Sequence, residues 1–286
     1  MKKGLKNTFI VLIIIVLIIV AFMFLFVGIR KNKIEKDTPY VEDNKNEVVN
    51  LKVEDEVPPP NFKAAVPIFM YHFILDDYGN YPDVENFLKP STLEEQIKYI
   101  VENNYETIFV NEIEEVYKYT KPVALTFDDC FVYFYNNAFP LIKKYNVKAT
   151  VNLIYNYMNG ENYLTDAQVK EMIDSGLVSV ESHTLSHREL TTISLEEQRK
   201  EILESKELFE NRFGINLSTI CYPVGDYNSK TIEISKEKYK YGLAMTGGVY
   251  YSDKHDLYSI PRIYANRSMP LSTFANYLKT SSVSIY

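Results

Sequence analysis

Hydrophobic positions divide the chain into three stretches. Phe9 to Val27 is an unbroken apolar run, extended by Gly28 and Ile29. About 20 apolar residues cross a bilayer as a helix, and the run has no polar face of the kind a half-buried core helix shows. Lys2, Lys3 and Lys6 precede it, Arg30 and Lys31 follow it, and no small-x-small cleavage site is evident. It therefore reads as an uncleaved signal anchor over 8–29 behind a short basic end, 1–7. Positive charge flanks both ends, so charge alone does not orient the anchor. Residues 30–63 mix charges with Asn and include Pro58-Pro59-Pro60. Such a stretch buries too little apolar surface to offset its ordering entropy, which predicts a flexible linker.

From 64 to 286 the pattern changes to short apolar, β-branched runs alternating with amphipathic stretches. Strands are expected at Ala65–Tyr71, Val123–Phe127, Ala149–Ile154, Val178–Ser182, Thr219–Tyr222, Leu243–Met245 and Ser259–Tyr264. Capping-box patterns at Ser91-Thr92-Leu93-Glu94, Thr165-Asp166-Ala167-Gln168 and Ser194-Leu195-Glu196-Glu197 open helices that run to about Asn103, Ser175 and Phe213. Repeated βα units imply an α/β domain with a parallel sheet, open or closed into a barrel. In either form ligands bind at the carboxyl ends of the strands.

Charge narrows the function. Residues 1–36 carry seven Lys/Arg against one Glu, which leaves the remainder at a net charge of −13. An acidic body lacks the clustered cations that phosphate binding needs, so nucleic acid is excluded as a partner. Two cysteines, Cys130 and Cys221, are too few for a disulfide scaffold or a Cys-rich zinc site.

Four polar clusters fall at expected strand ends. Asp128-Asp129 closes one apolar strand, and adjacent carboxylates suit a metal or a solvated loop start equally. His183 and His187 follow another strand at i, i+4. They are either two surface histidines or two imidazole ligands facing one site. The chain holds four histidines, and two of them sit here. One Asp with two His leaves a metal position open for water or substrate, which is the catalytic arrangement. Cys221-Tyr222-Pro223-Val224-Gly225 runs from a strand into a turn that can expose a backbone N–H. Met70-Tyr71-His72 closes the first strand, where a lone histidine is either packed or catalytic.

Together these residues resemble the polysaccharide deacetylases of the NodB-homology type, carbohydrate esterase family four, over roughly 64–270. Thr126-Phe127-Asp128-Asp129 is similar to the first family motif, Ser182-His183 through His187 to the second, and Tyr222-Pro223-Val224-Gly225 to the third. Departures are Cys130 in place of a usual Gly, Cys221 in place of an Arg that orients the catalytic Asp, and the lack of a late Leu-x-His motif. Pro67-Ile68-Phe69-Met70-Tyr71-His72 and Ile260-Pro261-Arg262-Ile263 resemble the exported poly-N-acetylglucosamine deacetylases.

The resemblance implies an irregular (β/α) barrel of about seven parallel strands, here preceded by one transmembrane helix. It implies a divalent ion, zinc first among the candidates, held by Asp129, His183 and His187. Asp128 would be the base towards water, with Arg262 orienting it. Tyr222 would offer its backbone N–H to the oxyanion, Pro223 and Gly225 would contact substrate, and His72 would protonate the leaving amine. Elimination also favours His72: two histidines are assigned to the ion, and His255 lies in a charged, loop-like stretch. The expected substrate is an N-acetylated polysaccharide outside the cell, met by a single-pass membrane protein. An O-acetyl esterase or an inactive sugar-binding domain are the other readings of the same scaffold. Cys130 and Cys221 are expected near each other at the barrel mouth, as free thiols.

Overall fold

Short runs bounded by polar residues, Gly or Pro form the strands. In chain order these are β1 (Phe62–Val66), β2 (Ile68–Tyr71), β3 (Phe73–Ile74), β4 (Phe87–Leu88), β5 (Glu106–Ile108), β6 (Pro122–Phe127), β7 (Ala149–Leu153), β8 (Val178–Ser182), β9 (Thr219–Cys221), β10 (Tyr241–Leu243), β11 (Tyr250–Tyr251), β12 (Ile263–Tyr264) and β13 (Ser282–Ile285). The computed structural model describes residues 60–76, 79, 84–129 and 131–286, all within one compact unit, Pro58–Tyr286. The anchor expected over 8–29 and most of the linker lie outside the described residues. Among the described residues no helix is long and apolar enough to cross a membrane.

The main sheet has the order β10-β9-β8-β7-β6-β2-β12, with every neighbouring pair parallel. It curls into a half-barrel, and β5 pairs with the first half of β6. Ile260, just ahead of β12, forms a parallel bridge to Leu243 of β10 and so draws the two ends of the sheet together. A separate antiparallel sheet has the order β11-β1-β13.

Period-two alternation decides what enters the barrel. Val123, Leu125 and Phe127 of β6 pack in the outer core against the helices, with Val151 of β7 and Val180 of β8. Ala124, Ile68, Cys221 and Leu243 pack in a second, inner core. The polar residues in phase with that inner set are Thr126 and Asp128, then Thr150 and Asn152, then Glu181 and His183, and all are buried. The barrel interior therefore changes from apolar to polar towards the carboxyl ends of its strands.

Several elements differ from expectation. The first expected strand is two strands, broken at Pro67, which has no N–H to continue a ladder. Its first half, β1, begins at Phe62 inside the expected linker and pairs Phe62 with Ile285 and Lys63 with Ser284. The domain thus starts before residue 64. The helix expected from Ser91 begins at Pro90, with Lys89 at the N-cap and no side-chain cap. Proline at the first helical position supplies the start instead. Thr165 and Ser194 do cap their helices, each reciprocated by the residue three positions on. The last two expected strands are displaced or shortened, to β10 and β12.

Candidate active site

Strand register assembles the site. Tyr71 lies opposite Phe127, so His72 and Asp128 leave adjacent strands side by side, and the Asp128 N–H donates to the Tyr71 carbonyl at 2.9 Å. Leu153 lies opposite Ser182 and Ser182 opposite Ile220, which carries His183 to the end of β9. Asp128, Asp129, His183, Cys221 and His72 all lie at the carboxyl ends of parallel strands, where this architecture binds ligands.

Asp128 is almost fully buried and held from three sides. Arg262, which is also buried, donates Nη1 to Oδ1 and Nη2 to Oδ2, both at 2.8 Å. Asn152 Nδ2 donates to Oδ1 at 2.7 Å, and the Cys221 thiol lies 3.5 Å from Oδ2. Burial pushes the Asp128 pKa up, but the Arg262 and His183 charges and the Arg262 hydrogen bonds outweigh it, and the carboxyl is held well below the usual range. Arg262 is fixed in turn by the Ala244 carbonyl and the Thr126 hydroxyl, each at 3.1 Å. Asp128 is thus an ionised, oriented carboxylate, in a fork geometry that carboxylates and guanidinium favour.

Beside it, Asp129 Oδ1 lies 3.5 Å from His183 Nε2 and 3.3 Å from His187 Nε2. Atoms that share one ion tetrahedrally at about 2.1 Å stand about 3.4 Å apart, so the three donors fit a single site. Asp129 Oδ1 is buried and has no hydrogen-bond partner of its own. His183 Nδ1 sits 2.8 Å from the Cys221 carbonyl, which only accepts. That nitrogen therefore carries the proton, and in the neutral ring the Nε2 lone pair faces Asp129. Burial lowers the His183 pKa, but Cys221 and the Asp129 and Asp128 carboxylates raise it well above the ordinary imidazole value. The local potential therefore favours a cation. The donor set, its spacing and its orphaned oxygen all fit a divalent ion.

The backbone around these donors is strained. Non-glycine residues with positive φ include Asp129 (62°), Thr184 (68°), His187 (57°) and Val224 (51°), and the other four among the described residues are all asparagines. Asn, Asp and His adopt this conformation more readily than most residues; β-branched Thr184 and Val224 do so at a cost of about 1–3 kcal/mol, and such strain gathers at functional sites.

The remaining expected residues are less uniform. His72 has its Nδ1 enclosed without a partner and stands edge-on to Tyr264, with ring centroids 6.1 Å apart. Burial lowers its pKa; Asp128 and Asp129 pull it up, with a net decrease. The Tyr222 N–H donates to the Leu243 carbonyl at 3.2 Å as a rung between β9 and β10. In this structure that N–H is engaged within the sheet, where the sequence reading expects it to face an oxyanion. Gly225 has φ 69°, and a Cβ there would meet Met245 Cβ at 2.7 Å, so close packing accounts for the glycine. Pro223 is buried within the same turn, which leaves Val224 exposed at its tip. Cys130 lies outside the described residues, so its expected proximity to the buried, free thiol of Cys221 has no counterpart in the structure. Asn152 was not singled out from sequence, and Thr126 only as part of the first motif, with no role. Their signal was a polar residue in phase with Asp128 inside an apolar strand.

The family model for polysaccharide deacetylase matches residues 116–242, which include both aspartates, both ligand-type histidines and the 221–225 turn. YxkH of Bacillus subtilis (strain 168), described as a polysaccharide deacetylase, is 33% identical over 223 residues, covering 76% of this chain and 77% of its own. A poly-β-1,6-N-acetyl-D-glucosamine N-deacetylase of Staphylococcus aureus is 27% identical over 214 residues, covering 68% and 73%. Among solved structures, the Streptococcus pyogenes deacetylase PplD, crystallised with acetate, superposes with a TM-score of 0.70 at 28% identity, covering 77% of this chain and 99% of its own. With this likeness running through the half-barrel and the strand-end carboxylates and imidazoles, the chain belongs to the polysaccharide deacetylase family, hydrolases that act on amide bonds.

Proposed function

We propose that this protein removes acetyl groups hydrolytically from N-acetylglucosamine units of a cell-envelope or extracellular polysaccharide, with a divalent ion in its site. One observation carries the reading: Asp128, ionised and gripped by Arg262, stands directly beside the convergent Asp129, His183 and His187 donors. Zinc bound by those three would supply Lewis acidity for the carbonyl oxygen and lower the pKa of a neighbouring water. Asp128 takes the proton of the attacking water as its oxygen bonds to the acetamide carbon. When the C–N bond breaks, His72 gives a proton to the departing nitrogen, and the proton that Asp128 took from water is left to restore it. Acetate and a free glucosamine amine result. Arg262, Asn152 and Cys221 hold Asp128 ionised and oriented, so no reorientation precedes proton transfer.

A neutral sugar becomes cationic in this reaction, which changes how the polymer adheres and which hydrolases cut it. The substrate is proposed on the printed activity of the Staphylococcus aureus relative. A polymer of that kind lies outside the cytoplasm. We therefore place the catalytic domain outside, held by the apolar run over 8–29 with the basic end, 1–7, inside. The test is to incubate Pro58–Tyr286 and zinc with β-1,6-linked N-acetylglucosamine oligomers, peptidoglycan and an O-acetylated glycan, and to measure acetate and free amine. Equal release of both from the first or second substrate is expected. Acetate without amine, from the O-acetylated glycan alone, would make the protein an esterase. No product from any substrate would leave a sugar-binding domain.

A further inference from the structure

Only Thr184, Leu185 and Ser186 separate His183 from His187, and this short link carries left-handed backbone at Thr184 and again at His187. Something must hold it. The Leu185 and Ser186 N–H groups donate to Glu201 Oε2 at 3.0 and 2.9 Å, and the Ser186 hydroxyl donates to Glu201 Oε1. Glu201 is 6% exposed, and among the described residues no lysine or arginine pairs with it. A buried carboxylate without a cation is costly unless donors surround it, and here all its donors come from this one link. The helix that begins at Leu195 under its Ser194 cap presents Glu201 from a π-turn, Lys200–Glu204, before continuing as Ser205–Phe213. π-turns in α-helices are frequent at functional sites. Four residues on, Ser205 Oγ lies 2.8 Å from Ser182 Oγ, which itself accepts the Thr184 N–H at 3.1 Å. One helix therefore grips the link at both ends.

We propose that Glu201 is a positioning residue that sets the affinity of the site for a divalent ion, by fixing the backbone between His183 and His187. The inference rests on the ion-binding reading above. In Glu201→Leu both accepting oxygens are lost and the Leu185 and Ser186 N–H groups are left without them, so the link is released while all three ligands remain. The measurement is the zinc dissociation constant of the folded chain, by competition with a chelating fluorophore well below the melting temperature. An outer partner of this kind is worth about 10-fold or more in affinity, so the constant should rise by about that factor. A purely structural role would lower the melting temperature and leave the constant of the folded protein unchanged, and that result overturns the inference. Should Glu201→Leu fail to fold, Ser186→Ala, which deletes only the hydroxyl donor, carries the same test. A several-fold rise supports the inference, and an unchanged constant overturns it. A wild-type chain that binds no divalent ion overturns the ion site and this inference together.

Discussion

Arg262→Met tests whether the Asp128–Arg262 fork is the energetic centre of the site. The substitution keeps a long side chain but deletes two 2.8 Å bonds to Asp128 and leaves that carboxylate buried. Breaking a buried pair by removing one partner costs about 3–5 kcal/mol. At about 2–4 °C per kcal/mol for a domain of this size, melting should fall by about 6–20 °C. Burial would then act on Asp128 without its main opponent, so its pKa should rise. In the wild type that pKa is depressed below the unfolded value of about 3.9. Its stabilising contribution is therefore present at neutral pH and is lost only as pH falls through the folded value. In the variant burial should raise the folded value above the unfolded one, so that contribution would become complete at low pH and be lost as pH rises. The deficit relative to wild type should therefore shrink between neutral pH and about pH 5. Asp128→Asn combined with Arg262→Met removes both charges and should be less destabilised than Arg262→Met alone. Urea unfolding of chelator-treated protein at both pH values measures wild type, each single variant and the double. A deficit under about 1 kcal/mol, the size of an exposed pair, would refute the reasoning. So would a deficit that grows on acidification, or a double variant as unstable as the sum of the singles.

Three further outcomes follow from the geometry. Asp129→Ala and His183→Ala should lose bound metal and turnover together, and exhaustive chelation of the wild type should do the same; elemental analysis beside an acetate assay checks both. Asp128→Asn should keep the metal and lose about 10²–10⁴-fold in turnover, and a loss under tenfold would remove it from the base role. His72→Ala should also keep its metal while turnover on an N-acetylglucosamine oligomer drops by at least about 10²-fold; near-normal turnover would make His72 a packing residue.

Much of this was legible in the chain. Short apolar or β-branched runs marked β6, β7 and β8, and capping boxes marked the helices at Thr165 and Ser194, because both signals are local. The placing of Asp128, Asp129, His183 and His187 at strand ends followed from the same runs. What the sequence left open is non-local. No pattern shows that Phe62 and Lys63 pair with Ile285 and Ser284, more than 200 residues away, so the domain boundary was misplaced. Nor does any pattern show that the Tyr222 N–H is taken up by Leu243, since a ladder bond depends on the neighbouring strand. The pairing of β12 with β2, itself paired with β6, brings Arg262 to Asp128, 134 positions earlier in the chain. Packing also puts Glu201, from a helix with no chemical motif, against the backbone between two histidines. Sequence marked which donor-type residues stand at the strand ends, because donor type and strand phase are written locally. Tertiary structure decided their partners, because register and curvature exist only once the strands are assembled.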